Sequence, residues 1–381
     1  MKVKLSDAFE LQMGKTPPRN DRECWGEGHK WISISDIGST GKYIDATKEE
    51  ITDAGVSKSG IKVVPKGTVI MSFKLSIGKT AITAEDMYTN EAIMAFINKG
   101  RYEINTDYLY HMCKGIDWLA GTNKAVLGLT LNKATMSEKE IVIPSMAEQL
   151  HVVSVLDKMD ELIALRKEQL AKLDQLVKSR FIELFGDPVD NPKGWKKDKA
   201  ENYIDLISGF PFDSSKYTES GVNICGGLII MPQRIEWGDC KHWCSIDGYE
   251  EYALNENDIV IALDRPWISE GFKIAMVEAE HLPALLIQRT ARIRAIGLNQ
   301  FYLMYCFLLG GFDKHCNVTG SLVPHISAKD IRSFAIMLPP IDLQEQFAAF
   351  VEQTDKSKLA IQQSLDKLEL LKNSLMQDYF G

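Results

Sequence analysis

Residues 143–186 read IPSMAEQLHVVSVLDKMDELIALRKEQLAKLDQLVKSRFIELFG, and residues 338–381 read LPPIDLQEQFAAFVEQTDKSKLAIQQSLDKLELLKNSLMQDYFG. A shift of 195 aligns them without a gap. Ten positions are identical: Pro144/Pro339, Gln149/Gln344, Asp160/Asp355, Leu170/Leu365, Lys172/Lys367, Leu173/Leu368, Leu176/Leu371, Ser179/Ser374, Phe185/Phe380 and Gly186/Gly381. Generic helix composition supplies some of the Leu and Lys matches. It does not supply Pro at one end and Phe-Gly at the other in the same frame, so the chain reads as a duplication.

Neither 147–184 nor 343–379 contains Pro or Gly, so each predicts one long helix, about 57 Å for the first at ~1.5 Å per residue. Leu156, Ile163, Leu170, Val177 and Leu184 recur every seven residues, with Val152, Met159 and Leu173 beside them and Arg166 and Arg180 interrupting. The second stripe runs Val351, Ile361, Leu365, Leu368, Leu375 and Tyr379. Imperfect heptads of this kind need a partner helix. The simplest partner for each is the other, packed antiparallel across Leu156, Ile163, Leu170, Leu173 and Val177 on one side and Ile361, Leu365, Leu368 and Leu375 on the other.

The repeat continues upstream more weakly. TMSEKEIVIPS (135–145) resembles HISAKDIRSFAIMLPP (325–340), with Ser-x-x-x-Ile before a proline in each; DYLYHMCKG (107–115) resembles FYLMYCFLLGG (301–311); VPKGTVIMSF (64–73) resembles LNENDIVIAL (254–263). Short β-branched or apolar runs bounded by turn residues predict strands at 62–73, 80–84 and 92–97, and again at 259–263, 272–277 and 290–296, with helices at 102–114 and 299–309. The expected architecture is α+β: two mixed, β-rich domains at 1–146 and 187–341, separated by two long antiparallel coiled-coil helices at 147–186 and 342–381, related by an internal pseudo-two-fold repeat. Asp187-Pro188, Asn191-Pro192 and Gly194 punctuate the junction.

The 381 residues carry 45% hydrophobic and 25% charged side chains, the mix of a globular protein of two or three domains. No apolar run approaches a membrane span, and MKVKLSDAFELQMGK has no signal-peptide core. Seven cysteines in a long chain do not make a disulfide framework, so the expected compartment is the cytoplasm. The net charge is −8, spread as +1 over 1–146, −1 over 147–186, −5 over 187–340 and −3 over 341–381. A nonspecific nucleic-acid binder carries a large basic excess, so if this chain holds DNA, a partner supplies much of the positive field.

Several loops carry side chains that read base edges or hold phosphates: Lys15, Arg19 and Arg22 in GKTPPRNDR; Lys74 and Lys79 in SFKLSIGKT; Arg265 and Lys273 in LDRPWISEGFK; Asn317, Thr319 and His325 in HCNVTGSLVPH. A solvated role is the ordinary alternative for each, and Trp267 fits packing better than base stacking. Chemistry is sparse. There is no GxxxxGK[ST] phosphate loop, no [DN]PP[YF] methyltransferase motif, no GxGxxG after a strand and no GxSxG elbow. Cys240-Lys-His242-Trp-Cys244 matches no common zinc spacing. No catalytic residue and no metal ligand is assigned.

The order of variable domain, IPSMAEQ plus long helix, variable domain, LPPIDLQEQ plus long helix, each helix closed by Phe-Gly, resembles the specificity subunit of type I restriction–modification systems over essentially the whole chain. WISISDIG (31–38) and SFKLSIGK (72–79) also look like strings of that family's first target recognition domains. Ser145 departs from the usual second proline. The resemblance implies a non-catalytic subunit. Each target recognition domain would read one half of a bipartite site in double-stranded DNA, and the helices would set the spacing and dock two modification subunits that methylate adenine N6. Restriction subunits would complete a nuclease, and S-adenosylmethionine, ATP and Mg would belong to those partners rather than to this chain. A free-standing two-site DNA-binding regulator or a coiled-coil scaffold is the alternative reading.

Overall fold

The computed structural model describes residues 1–38, 41–74, 76–120, 131–318 and 324–381. Four helices organise it: α1 (Thr106–Gly115), α2 (Met146–Phe185), α3 (Gln300–Leu309) and α4 (Ile341–Phe380). The chain forms two compact units, one of Met1–Lys167 with Gln363–Gly381, the other of Glu168–Gln362. Each unit therefore contains one β-rich domain, part of α2 and part of α4.

In the first unit a five-stranded sheet has the order Phe9–Met13, Ile93–Asn98, Val69–Ser72, Thr80–Thr83, Tyr43–Ile44. The central strand VIMS is buried at every position, and the edge strand FELQM buries Phe9 and Leu11 in alternation. This is the contrast expected between a strand covered on both faces and one covered on one. A three-stranded sheet, Glu49–Ile51, Trp25–Ile32, Tyr88–Thr89, has one antiparallel and one parallel pairing.

The second unit repeats this. Its four-stranded sheet runs Ile204–Ser208, Thr290–Ala295, Ile259–Ala262, Ile274–Met276, and its three-stranded sheet Lys241–Trp243, Val222–Cys225, Ala284–Leu286 again combines antiparallel and parallel pairings. IVIA is buried throughout, and Ile204 and Leu206 alternate as Phe9 and Leu11 do. Lys2–Lys4 pairs with Glu140–Val142, and in the second repeat Lys197–Lys199 pairs with Ala335–Met337. That register shows the Ser-x-x-x-Ile similarity to be a coincidence of frame: Ile141 is in a strand, whereas Ile331 is in the helix Ala328–Ser333.

The motif identities now have physical reasons. Gln149 and Gln344 are 0% and 1% exposed. Gln149 Oε1 accepts from Asn105 N at 2.8 Å while its Nε2 donates to the carbonyls of Glu103 and Pro144. Gln344 Oε1 accepts from Asn299 N at 2.9 Å and its Nε2 donates to Pro339. Asn105 and Asn299 are the N-caps of α1 and α3, each accepting from two backbone amides. One buried amide thus ties the start of a long helix to the cap of the domain helix, and losing it would strand a buried N–H at a cost of about 1–3 kcal/mol. The closing Phe-Gly is packing: Phe185 lies 4.7 Å from Tyr302 and Phe380 lies 5.5 Å from Tyr108, ring centre to ring centre.

The long helices run antiparallel in both units. In the first, Asp160 pairs with Lys372 and Lys167 with Glu369; in the second, Asp174 pairs with Lys358, and Phe181 packs on Phe347. Of the expected seam residues, Leu156 is buried in the first unit's core with Leu375 against it, and Val177 in the second's beside Phe347 and Val351. Leu365 is buried, while Ile163, Leu170, Leu173, Ile361 and Leu368 are half-buried. No helix among the described residues is long and apolar enough to cross a membrane.

A polar cluster joins α1 to α2 in the first unit. The buried His111 Nε2 lies 2.7 Å from Asp157 Oδ1, and Lys42 pairs with both Asp107 and Asp157. Burial, with Lys42 nearby, holds the imidazole below its ordinary value despite Asp157. His111 therefore favours the folded state as a neutral ring. Its contribution is present above about pH 6.5 and is lost as the pH falls from there through the depressed folded value. Thermal melting is expected to occur at lower temperature at pH 5.5 than at pH 7.5, with the difference reduced in His111→Gln; an unchanged difference in that variant would remove His111 from the explanation.

Candidate nucleic-acid interface

Both sheets expose a loop-bearing end at which a glycine has no substitute. A Cβ on Gly14 would strike the Thr89 carbonyl, and one on Gly209, its equivalent in the second repeat, would strike that of Ile287. The backbone matches around them: Phe73 N donates to Ala92 O at the first end, and Leu263 N donates to Arg289 O at the second.

At the first end, Lys15 Nζ donates to the carbonyls of Ser59 and Gly60 at 3.0 and 3.1 Å, where the helix Asp53–Ser59 ends. The Arg19 guanidinium lies 4.0 Å over Trp25 and 4.9 Å from Trp31, and is paired with Glu49 at 2.6 Å. Lys74 is exposed beside Phe73. Partial burial would raise the Glu91 carboxyl, yet the Thr16 hydroxyl and the charges of Lys74 and Arg19 hold it below its ordinary value. The structure thus gathers Thr16, Arg19, Lys74 and Glu91 into one patch. Lys79 is exposed and lines an open groove of about 1,020 Å³ with Lys42, Lys114 and Asp157. Arg22 is exposed on the turn Arg22–Cys24.

At the second end, Arg265 is exposed with φ of 45°, and its N–H donates to Pro324 O. Asp264 bridges to His325 and accepts from Arg289 Nη1 at 3.0 Å. Lys273 departs from the expectation of a phosphate contact. It is 7% exposed, and its Nζ donates inward to Gly227 O. The expected strand 272–277 is broken at this residue: Gly271–Phe272 pairs with Trp267–Ile268, and only Ile274–Met276 joins the sheet. Trp267 stacks on Phe272 at 5.2 Å, a packing role. Asn317 is exposed, with its N–H on Asp330; Thr319 lies outside the described residues. Sequence reasoning missed Glu91 and Arg289, which precede equivalent strands; superposing the two halves strand by strand would have found both. Cys240 Sγ donates to Asn223 Oδ1 and sits 3.9 Å from His242, while Cys244 is exposed.

The arrangement offers two polar, partly basic loop clusters with aromatic support, suited to binding rather than to bond breaking. Residues 1–175 and 245–371 match the model of the type I restriction modification DNA specificity domain, and the chain belongs to that family. It is therefore a sequence-specificity component, not a catalyst by itself. It is 25% identical over 408 residues to the type I restriction enzyme MjaIX specificity subunit of Methanocaldococcus jannaschii, covering 98% of this chain and 90% of that one. It is 30% identical over 202 residues to the EcoAI specificity subunit of Escherichia coli, covering 50% of this chain and 34% of that one. Among solved structures, the S subunit of a type I restriction-modification system from M. genitalium shares the fold at a TM-score of 0.54 and 14% identity, over 100% of this chain and 96% of that one. A chain of a type I R-M system studied for its complex assembly does so at 0.61 and 20%, over 100% and 97%.

Proposed function

We propose that this chain is the subunit that gives a type I restriction–modification complex its DNA sequence. The loop end of each duplicated sheet reads one half of a bipartite site, α2 and α4 set the spacing, and the methyltransferase subunits dock on the helices. The observation that carries the reading is the duplication of the loop-bearing sheet end, with Gly14 and Gly209 in equivalent places and polar, basic side chains around each. S-adenosylmethionine, ATP and Mg are assigned to the partners, restriction subunits complete the assembly, and the setting is the cytoplasm.

Docking is supported by apolar helix surface. Leu176 and Leu371, identical in the repeat, are 48% and 50% exposed, and Leu370 is 72% exposed. Equivalent exposed leucines in the two repeats suit two copies of one partner. Leu176→Glu is expected to leave one methyltransferase subunit bound, and Leu176→Glu with Leu371→Glu to weaken both, each by about tenfold or more. Mass photometry counts the subunits. DNA binding at two salt concentrations, with and without partner, tests the rest: the lone chain at net −8 should bind its site weakly. Tight, salt-resistant specific binding by the lone chain would favour the free-standing regulator instead.

A further inference from the structure

Five non-glycine residues among those described have a left-handed backbone: Asn191, Gln233, Asn257, Arg265 and Arg289. Asparagine tolerates this region; arginine and glutamine rarely enter it. The other three all border Lys273 in the second unit. Gln233 N donates to Ile274 O, Arg265 precedes the proline whose carbonyl accepts from Lys273 N, and Arg289 O accepts from Leu263 N. Backbone strain of this kind clusters at places that bind or switch.

The loop at this place is Gly226-Gly227-Leu228. Gly227 lies over the strand ends, where a Cβ on it would make ordinary contact with Ala262, Thr290 and the Arg289 carbonyl. From below, the buried Lys273 ammonium holds the Gly227 carbonyl. No carboxylate among the described residues pairs with Lys273 or with Arg265. The next residue, Leu228, is 91% exposed, the highest exposure of any large apolar side chain described. A lone exposed leucine needs no explanation. One at the tip of a loop that Lys273 anchors from below, with Gly227 against the Arg289 carbonyl, does.

The major groove of DNA has one apolar feature, the C5 methyl of thymine, set among acceptors that arginine recognises. Resting on the DNA-reading function proposed above, we propose that Leu228 reads a thymine methyl in the half-site recognised by the second domain, with Arg265 and Arg289 flanking it and Lys273 acting as a positioning residue beneath the loop.

The test uses the complex of the chain with its methyltransferase subunits. The recognised sequence comes from the methylome, and the relevant half is the one that changes when residues 187–341 are exchanged. Each thymine of that half is replaced in turn by deoxyuridine, which removes only the methyl group. Wild-type complex should lose affinity about three- to fivefold at one position, the worth of a methyl group. Leu228→Ala should bind thymine and deoxyuridine there equally, with responses at the first half-site unchanged. The variant alters an exposed side chain, so folding is not at issue. If it keeps the wild-type sensitivity at every position, or if wild type binds specifically with no sensitive thymine in that half, the assignment of Leu228 is wrong while the function stands. If the wild-type complex shows no site-specific binding at all, the function itself is wrong.

Discussion

A chimera carrying residues 1–143 of another family member is expected to keep one half of the methylated sequence and exchange the other, with methylation at the original site falling about a thousandfold or more, the scale of specific over nonspecific binding. The cut is chosen by structure. The domain closes on itself where Lys2–Lys4 pairs with Glu140–Val142, and the Met1 amino group donates to Ile143 O at 2.9 Å. The replaced segment ends there, before Gln149 begins the helix-side lock. What the donor must retain is the surface that meets the helices. A Cβ on Gly115 would come 2.6 Å from the Phe380 ring, and Tyr108 packs at a tilt against that ring. A donor with a bulky residue at the Gly115 position should therefore give an insoluble or unassembled chimera, not one with a new sequence. Methylome sequencing of cells carrying the chimera decides the matter. If both halves change in a soluble, assembled chimera, the domains do not read independently.

The frame of this molecule was legible in the sequence because the frame is repetitive. Pro144, Gln149 and Phe185 recur as Pro339, Gln344 and Phe380 since each meets the equivalent neighbour in both repeats, and buried neighbours tolerate little change. Helices expected at 147–186 and 342–381 are found at Met146–Phe185 and Ile341–Phe380, because charge patterning and the absence of Pro and Gly are local signals. The strand expected at 62–73 shrinks to Val69–Ser72, since Pro65 and the left-handed Gly67 place a turn before it. The reading edge was much less legible. A lysine between two strand-like stretches gives no sign of pointing inward, yet Lys273 does so because the loop at Gly227 folds over it. Leu228, inside the apolar run LII, looks like core; its neighbours Ile229 and Ile230 are buried, while it alone turns outward. Arg265 and Arg289 are distant in sequence, and only the pairing of Ile259–Ala262 with Thr290–Ala295 brings their loops to one edge.

Lengthening both long helices should lengthen the gap in the recognised sequence, if α2 and α4 have the task of spacing. The ion pairs within each unit, Asp160–Lys372 and Lys167–Glu369 in one and Asp174–Lys358 in the other, fix how the helices lie against each other locally. Four residues inserted near Gln169 in α2 alone add about 6 Å and rotate the C-terminal part of the helix by about 40°, since four residues overshoot a 3.6-residue turn. The unmatched α4 resists, so the realised change should be nearer one base pair than two at ~3.4 Å each. A second insertion of four at Gln363 in α4 removes the mismatch, because both insertions fall where one unit gives way to the other and leave every one of those ion pairs intact. The double variant is expected to methylate the same two half-sequences with a spacer longer by about two base pairs. Inserting two residues instead rotates the helix by about 200°, turns its apolar face outward and should abolish activity. Single-molecule methylation mapping reads all three variants in one experiment. An active double variant that keeps the original spacer would mean that α2 and α4 do not set the distance between the half-sites.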